Sequence, residues 1–483
     1  MSYSFDNDKI IHLFEKIVNC FFRNYIVSFL YRVVNPPINP HTEEKTMSAP
    51  TKKKKVILIG AGGRGMGYTN IMANEFPNDF EVIAVAEPLD DRRNYIKSKH
   101  NIPDEFCFTT WEPLLALPKM ADVALIATMD RNHFAPAMAA IEKGYDLLLE
   151  KPVAPTPEEC RAIERAATEK GVFVLICHVL RYTNFYRAIK GIIDSGEIGR
   201  VMNIQHIEGV GNIHQSHSFV RGNWGNSQRS SFMLLQKSCH DMDILAWLVG
   251  KKCTAVQSFG SLSYFTEKNA PAGAPARCID GCPHADTCAY NAVKLYLEES
   301  NDTGRGRWHR TAATKLINPT DSDVEHVLRT TEYGKCVYKC DNDVVDHQIV
   351  NLQFEDDIII SFTMSAFNLG GRRMRIMGTK GEIEAFAENN KITVYSLENG
   401  KSREHDCNSA LAGDTIVSGH GGGDQGIIKA LKDLLEGIEN KSVCPIRESC
   451  DNHMIAFAAE ESRLAGGKLI MMDEFMERYK ADR

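Results

Sequence analysis

The stretch Val56-Ile57-Leu58-Ile59-Gly60-Ala61-Gly62-Gly63-Arg64-Gly65 decides how this chain is read. Four consecutive apolar residues, apolar on both faces, suit a strand buried in a parallel sheet. The glycines that follow are spaced G-x-G-x-x-G and open a helix. The first permits a tight turn, the second lets backbone approach a pyrophosphate, and the third allows the helix to pack closely; the helix start offers its N–H groups to phosphate. Glu87 lies 22 residues beyond Gly65 at the end of the next apolar run, where a carboxylate accepts hydrogen bonds from ribose hydroxyls. Gly60, Gly62, Gly63, Arg64, Gly65 and Glu87 are therefore the expected dinucleotide site. Glu87 would repel a 2′-phosphate, which favours NAD; Arg92 and Arg93 keep NADP open.

Outward from this turn, apolar runs of strand length at 81–86, 123–127, 145–149 and 172–177 alternate with helical stretches at 68–75, 92–99, 133–143 and 156–170. That is a βαβ series, and it predicts a parallel sheet. After Arg181 the pattern changes. A helix through 193 precedes a strand at 201–206, and later segments at 346–354, 358–364, 373–377, 382–387 and 391–395 read as successive strands joined by turns. The expected fold class is α/β: an amino-terminal Rossmann domain over 51–178, then an α+β domain over 179–483 with a large, mostly antiparallel open sheet. Helices within 424–465 are expected to pack back on the Rossmann domain. Residues 1–50 read as an extension, disordered or an amphipathic helix, with Met47 as an alternative start. Its apolar stretch at 10–34 is broken by Glu15, Lys16, Arg23 and Arg32, so it does not span a bilayer cleanly, and no membrane partner is expected.

The chain has 483 residues, 56 Lys+Arg against 63 Asp+Glu, and a formal net charge of −7. That balance repels nucleic acid. Fourteen scattered cysteines without a secretory signal read as reduced thiols of a cytoplasmic protein.

Glu150-Lys151-Pro152 follows the run at 145–149, placing a lysine at the carboxyl end of a parallel strand, where open α/β sheets bind ligands. Together the glycine turn, Glu87, residues 128–133, Glu150-Lys151-Pro152 and His240 resemble the Gfo/Idh/MocA family, named for glucose-fructose oxidoreductase, inositol dehydrogenase and a rhizopine-catabolism protein. The resemblance runs from about residue 54 to the carboxy terminus. It implies that Lys151 lies near nicotinamide and substrate, and that His240, on a helix resembling residues 234–243, is the acid/base. On one continuous helix, Gln236 and His240 would share a face. Members commonly carry Asp where this chain has Gln236, so Lys237 or a distant carboxylate is left to tune the histidine. Thr128, Asp130, Asn132 and His133 are expected to border the nicotinamide. Glu150, Arg181 and Trp224 join the expected cofactor residues, and Tyr182, Gln236 and Lys237 the expected substrate residues.

The resemblance implies hydride transfer between a nicotinamide cofactor and a secondary hydroxyl of a sugar, polyol or sugar derivative. The alternative is a redox-neutral NAD-dependent glycoside hydrolase that oxidises transiently and eliminates. A homodimer or homotetramer is expected. Finally, Cys278, Cys282, His284 and Cys288 fall within eleven residues. The spacing is not C-x2-C and no second pair follows at zinc-ribbon distance. They read as packed reduced thiols with no metal assigned, and a structural zinc is the alternative.

Overall fold

A computed structural model describes residues 52–298, 304–407 and 421–480; the expectations for residues 1–50 lie outside these. The first sheet contains β1 (Lys54–Ile59), β2 (Phe80–Ala86), β3 (Cys107–Phe108), β4 (Val123–Ile126), β5 (Asp146–Leu149) and β6 (Val174–Ile176), in the order β3-β2-β1-β4-β5-β6. All its pairings are parallel. Burial on both faces explains the unbroken apolar runs: all four residues of β4 are buried. The connecting helices include α1 (Gly63–Glu75), α2 (Asp90–His100), α3 (Trp111–Ala116), α4 (Phe134–Glu142) and α5 (Pro157–Lys170). Helix α5 shows why the sequence starts and stops them where it does. The Thr156 hydroxyl accepts from the Glu159 amide, Pro157 occupies the first turn, and Gly171 closes the helix in a left-handed conformation.

Strand order reverses between β1 and β4, and a crevice opens outside the carboxyl ends of strands at such a point. The glycine turn follows β1, residues 127–133 follow β4, Glu150-Lys151 follows β5 and Cys177-His178 follows β6. The topology itself gathers these segments.

After α6 (Asn184–Asp194), β7 (Val201–Gly209) opens a nine-stranded sheet. Helices α7 (Met233–Gln236) and α8 (Cys239–Val249) lead into β8 (Cys253–Ser261). Residues 262–346 form an insertion that carries α9 (Gly304–Thr314) and α10 (Asp321–Thr330). The sheet then continues through β9 (His347–Phe354), β10 (Ile358–Ser365), β11 (Gly371–Gly378), β12 (Gly381–Phe386), β13 (Lys391–Ser396) and β14 (Ser402–Asp406). Helices α11 (Gly423–Leu435) and α12 (Ile446–Leu464) and the edge strand β15 (Ile470–Met471) complete it, in the order β14-β13-β12-β11-β7-β10-β9-β8-β15. Only β7 and β10 run parallel. Burial alternates strictly along β9, as one covered face demands.

Two corrections to the sequence reading concern local structure. Residues 234–243 are not one helix: α7 ends at Gln236 and α8 begins at Cys239, with Ser238 at φ −100° and ψ 9° between them. Strand β8 had no counterpart in the reading, because its polar and glycine-containing second half, Gln257-Ser258-Phe259-Gly260-Ser261, lacks a clean apolar alternation.

Apolar packing joins the layers. One face of the first sheet, through Val56 and Leu58, is buried against Tyr68 of α1 and Ile427, Ile428 and Leu431 of α11. The other face, through Ile57 and Ala124, belongs to the core that also holds Met454 of α12 and Val350 and Phe362 of the second sheet. At this junction the Arg181 guanidinium is buried, donating to both Asp243 carboxylate oxygens at 2.7 Å and to Glu448 at 2.6 Å. Removing one partner strands a charge away from water. Asp243→Ala is therefore expected to lower the free energy of unfolding by about 3–5 kcal/mol, measured by urea denaturation.

Candidate active site

The glycine turn is built for close approach. Gly60 has φ +90°, and a Cβ there would stand 2.7 Å from the Ala127 carbonyl oxygen. A Cβ on Gly65 would stand 2.1 Å from the Gly60 oxygen, so α1 can begin against the turn only with glycine there. Gly62 caps α1 without a side-chain hydrogen bond, and the first turn holds no acidic residue. At Gly63 a Cβ would meet nothing within 4 Å. Uncapped amides beside open space at a helix start suit a pyrophosphate. Glu87 is buried, its Oε2 accepting from the Ala61 amide at 2.6 Å and its Oε1 from the Leu89 amide at 3.0 Å. It braces the turn as well as ending β2.

Arg64 sits in a network. Its Nε donates to Glu150 Oε1 at 2.9 Å and its Nη2 to Asp424 Oδ1 at 2.7 Å and to the Tyr68 hydroxyl, which itself donates to Glu150 Oε1 at 2.7 Å. Glu150 Oε2 accepts from the Lys151 amide at 3.0 Å. Burial pushes the Glu150 carboxyl up, but Arg64 and Lys151 outweigh it and hold the acid below its ordinary range. The carboxylate of the Glu-Lys-Pro segment thus ties the glycine turn to the lysine.

Lys151 Nζ donates to the backbone carbonyl of Gln236 at 2.8 Å, where α7 ends. Two residues beyond the break, α8 presents the buried His240, its ring 6.1 Å from that of His178. His178 follows β6, is 1% exposed, and neither ring nitrogen has a hydrogen-bond partner; its Nε2 stands 3.8 Å from Asp243 Oδ1. On its other side, 5.5 Å away, lies the ring of His453, whose Nε2 accepts from the Val153 amide and whose Nδ1 donates to the Ser449 carbonyl. Burial lowers both imidazoles, His453 to about 3, so both are neutral at physiological pH. His178 was missed in the sequence, where one histidine after an apolar run carries no signal.

Lys237 points away from that group, 3.3 Å from Glu208. Arg372 reaches both Glu208 at 2.7 Å and Asp241 at 2.8 Å, and Asp241 also meets His206 at 2.8 Å. Burial lowers the Lys237 ammonium more than Glu208 raises it. Arg372, Glu208 and His206 had no signal in the sequence, since β7 and β11 bring them to Asp241 of α8 from far along the chain.

Asp130 accepts from the hydroxyls of Ser230 and Ser231 at 2.8 Å and from Trp224 Nε1 at 3.3 Å, so Asp130 and Trp224 do meet. His133 is fully buried between the carbonyls of Pro152 and Thr128, and the Thr128 hydroxyl donates to the Asn132 carbonyl. Arg181 is committed to Asp243 and Glu448, and Tyr182 is packed under Gly426 of α11. Both side chains are buried where the layers meet. Cys278, Cys282, His284 and Cys288 line a cavity in the insertion.

Residues 54–178 match the oxidoreductase family with an NAD-binding Rossmann fold, and residues 190–411 match the C-terminal alpha/beta domain of the same family. The chain belongs to the Gfo/Idh/MocA family. It is an NAD-binding oxidoreductase. Protein YteT of Bacillus subtilis (strain 168) is 22% identical over 398 residues, 78% of this chain and 88% of that protein. Inositol 2-dehydrogenase of Corynebacterium glutamicum (strain R) is 24% identical over 208 residues, 43% of this chain and 57% of that enzyme. The solved structure of levoglucosan dehydrogenase with NADH and levoglucosan superposes with a TM-score of 0.62 at 19% identity, covering 87% of this chain and all of that one.

The turn geometry of this Gfo/Idh/MocA chain separates two glycines of α1. Gly65→Ala, with backbone at 2.1 Å, is expected to weaken NADH binding at least about tenfold. Gly67→Ala, with nothing within 4 Å, is expected to bind normally and to gain roughly 0.5–1 kcal/mol of stability. Titration calorimetry and thermal unfolding of the two variants check both.

Proposed function

We propose that this protein is an NAD-dependent dehydrogenase that oxidises a secondary hydroxyl of a sugar, polyol or sugar derivative, or reduces the corresponding ketone, with Lys151 and His240 as its catalytic residues. The observation that carries the reading is the bond from Lys151 Nζ to the Gln236 carbonyl. It seats the ammonium at the end of the segment that presents His240, beside the carboxyl ends of the first sheet. The substrate class follows from the polyol and sugar relatives named above.

The glycine turn, Glu87 and the loop after β4 hold the cofactor. When bound, NAD supplies the hydride acceptor, the part of the chemistry that side chains cannot perform. His240 accepts the hydroxyl proton of the substrate, as an imidazole can near neutral pH. Lys151 donates a hydrogen bond to the same oxygen and stabilises the negative charge that grows there. Gln236 contributes its backbone carbonyl, which holds the lysine ammonium at 2.8 Å. Glu87 at the end of β2 favours NAD over NADP, and the free thiols of the described residues suit a cytoplasmic enzyme.

The protein is also read as a homo-oligomer. Phe259, Ile349 and Ile207 are 54%, 46% and 43% exposed. Register places Phe259 opposite Ile349, with Thr363 of β10 between Ile349 and Ile207. Such an apolar row across an open sheet face marks a surface to be covered.

Two experiments test these readings. Released nucleotide from denatured protein is identified, and NADH formation is then followed with free sugars, polyols and glycosides. Steady NADH production from a free sugar or polyol, reduced about a hundredfold or more in Lys151→Ala and His240→Ala with NADH still bound, is expected. Glycoside cleavage without net NADH would replace the dehydrogenase with a redox-neutral hydrolase, and failure to bind nucleotide would refute both. For assembly, light scattering should show a dimer or tetramer that the double variant Phe259→Lys/Ile349→Lys dissociates.

A further inference from the structure

The insertion between β8 and β9 holds five cysteines, and four of them, Cys278, Cys282, Cys288 and Cys336, line one cavity of about 20 Å³ together with Arg221. That is larger than the roughly 10–15 Å³ a single water needs. Cys336 lies 48 residues beyond Cys288 in sequence, which is why spacing did not include it. Backbone pairing brings it in. Arg277 bridges Lys335 in antiparallel fashion, the Cys278 amide donates to the Gly334 carbonyl, and the Cys336 amide donates to the Ala276 carbonyl, both at 2.9 Å.

Arg221 supplies the independent observation. It is 2% exposed. Its Nε donates to the Lys335 carbonyl and its Nη2 to the Tyr290 carbonyl, both at 2.7 Å, and Nη2 lies 3.6 Å from Cys278 Sγ. Its Nη1 is buried without a hydrogen-bond partner, and no carboxylate pairs with this guanidinium among the described residues. A full positive charge taken out of water calls for negative charge nearby. Neutral packed thiols do not provide it; metal-bound thiolates do.

We propose that Cys278, Cys282, Cys288 and Cys336 ligate a thiophilic metal centre, with Arg221 as its counter-charge and N–H donor to sulfur. Each thiol gives its proton to solvent as it binds, so four thiolates around one divalent ion leave two negative charges, one of which Arg221 offsets. Among the described residues no three His, Cys, Asp or Glu side chains already surround a single point. The four cysteines line the cavity, so the centre forms as their sulfurs turn inward to the metal. His284 also lines the cavity, but its Nε2 stands 2.8 Å from the Ala272 carbonyl, and Cys336 takes the fourth place that the sequence had offered to the histidine. The centre staples residues 276–290 to 334–338. It thereby fixes an insertion whose Lys315 carbonyl and Ile317 amide bond to Arg92 and Asp91 of α2.

The test is elemental analysis of the full chain purified anaerobically without chelator, with acid-labile sulfide and visible absorption measured on the same sample. About one zinc per chain, or iron with matching sulfide and a visible chromophore, supports the proposal and identifies the metal. Cys336→Ser and Cys282→Ser are expected to lose metal roughly tenfold or more, while Cys107→Ser, in the first sheet, keeps it. A folded chain with neither metal overturns the proposal, as does a disulfide between any two of the four thiols, or undiminished metal in both ligand variants. Because the wild-type content decides the matter, a variant that fails to fold does not obscure it.

Discussion

The ammonium of Lys151, 2.8 Å from the carbonyl of Gln236, is the contact on which the account of this site depends. In an unbroken helix that carbonyl would be directed at the amide four residues on. The turn at Lys237-Ser238 interrupts the helix and opens the carbonyl to the side chain of Lys151, which follows β5. One backbone irregularity therefore couples the end of the parallel sheet to the segment bearing His240, and it fixes the lysine without spending a carboxylate on it.

Two buried charge networks stand behind this contact. Glu150, Arg64, Tyr68 and Asp424 bind the glycine turn to the lysine segment, and Glu208, Arg372, Asp241, His206 and Lys237 bind α8 to β7 and β11. Buried ions are costly unless paired, and paired they hold their elements in one arrangement. Beside His240 lies the ring of His178, whose Nε2 stands 3.8 Å from Asp243 Oδ1. His178, neutral and without a hydrogen-bond partner at either nitrogen, stands between the two.

The sequence was informative where local physics repeats. Runs buried on both faces gave the first sheet, and the glycine spacing gave the turn. Alternation gave β9 to β13. Contacts made by distant segments were not legible. His206, Glu208 and Arg372 become neighbours of Asp241 only when β7 and β11 pair. Cys336 joins the other cysteines only through the pairing of 277 with 335. The resemblance suggested roles for Arg181 and Tyr182 but not the buried contacts they make with Asp243 and Gly426, which come from distant parts of the chain. The helix break at 237–238 had no glycine or proline to announce it, and it is the departure that matters most to the chemistry.

The most direct test of the central claim is the pH dependence of kcat/KM for the polyol or sugar that the protein oxidises, compared between the wild type and His240→Gln. If His240 takes the hydroxyl proton, the wild-type rate falls on the acid side as the imidazole becomes protonated, and that limb disappears in the slow variant. An unchanged acid limb in His240→Gln would contradict the assignment and move the base elsewhere in the crevice.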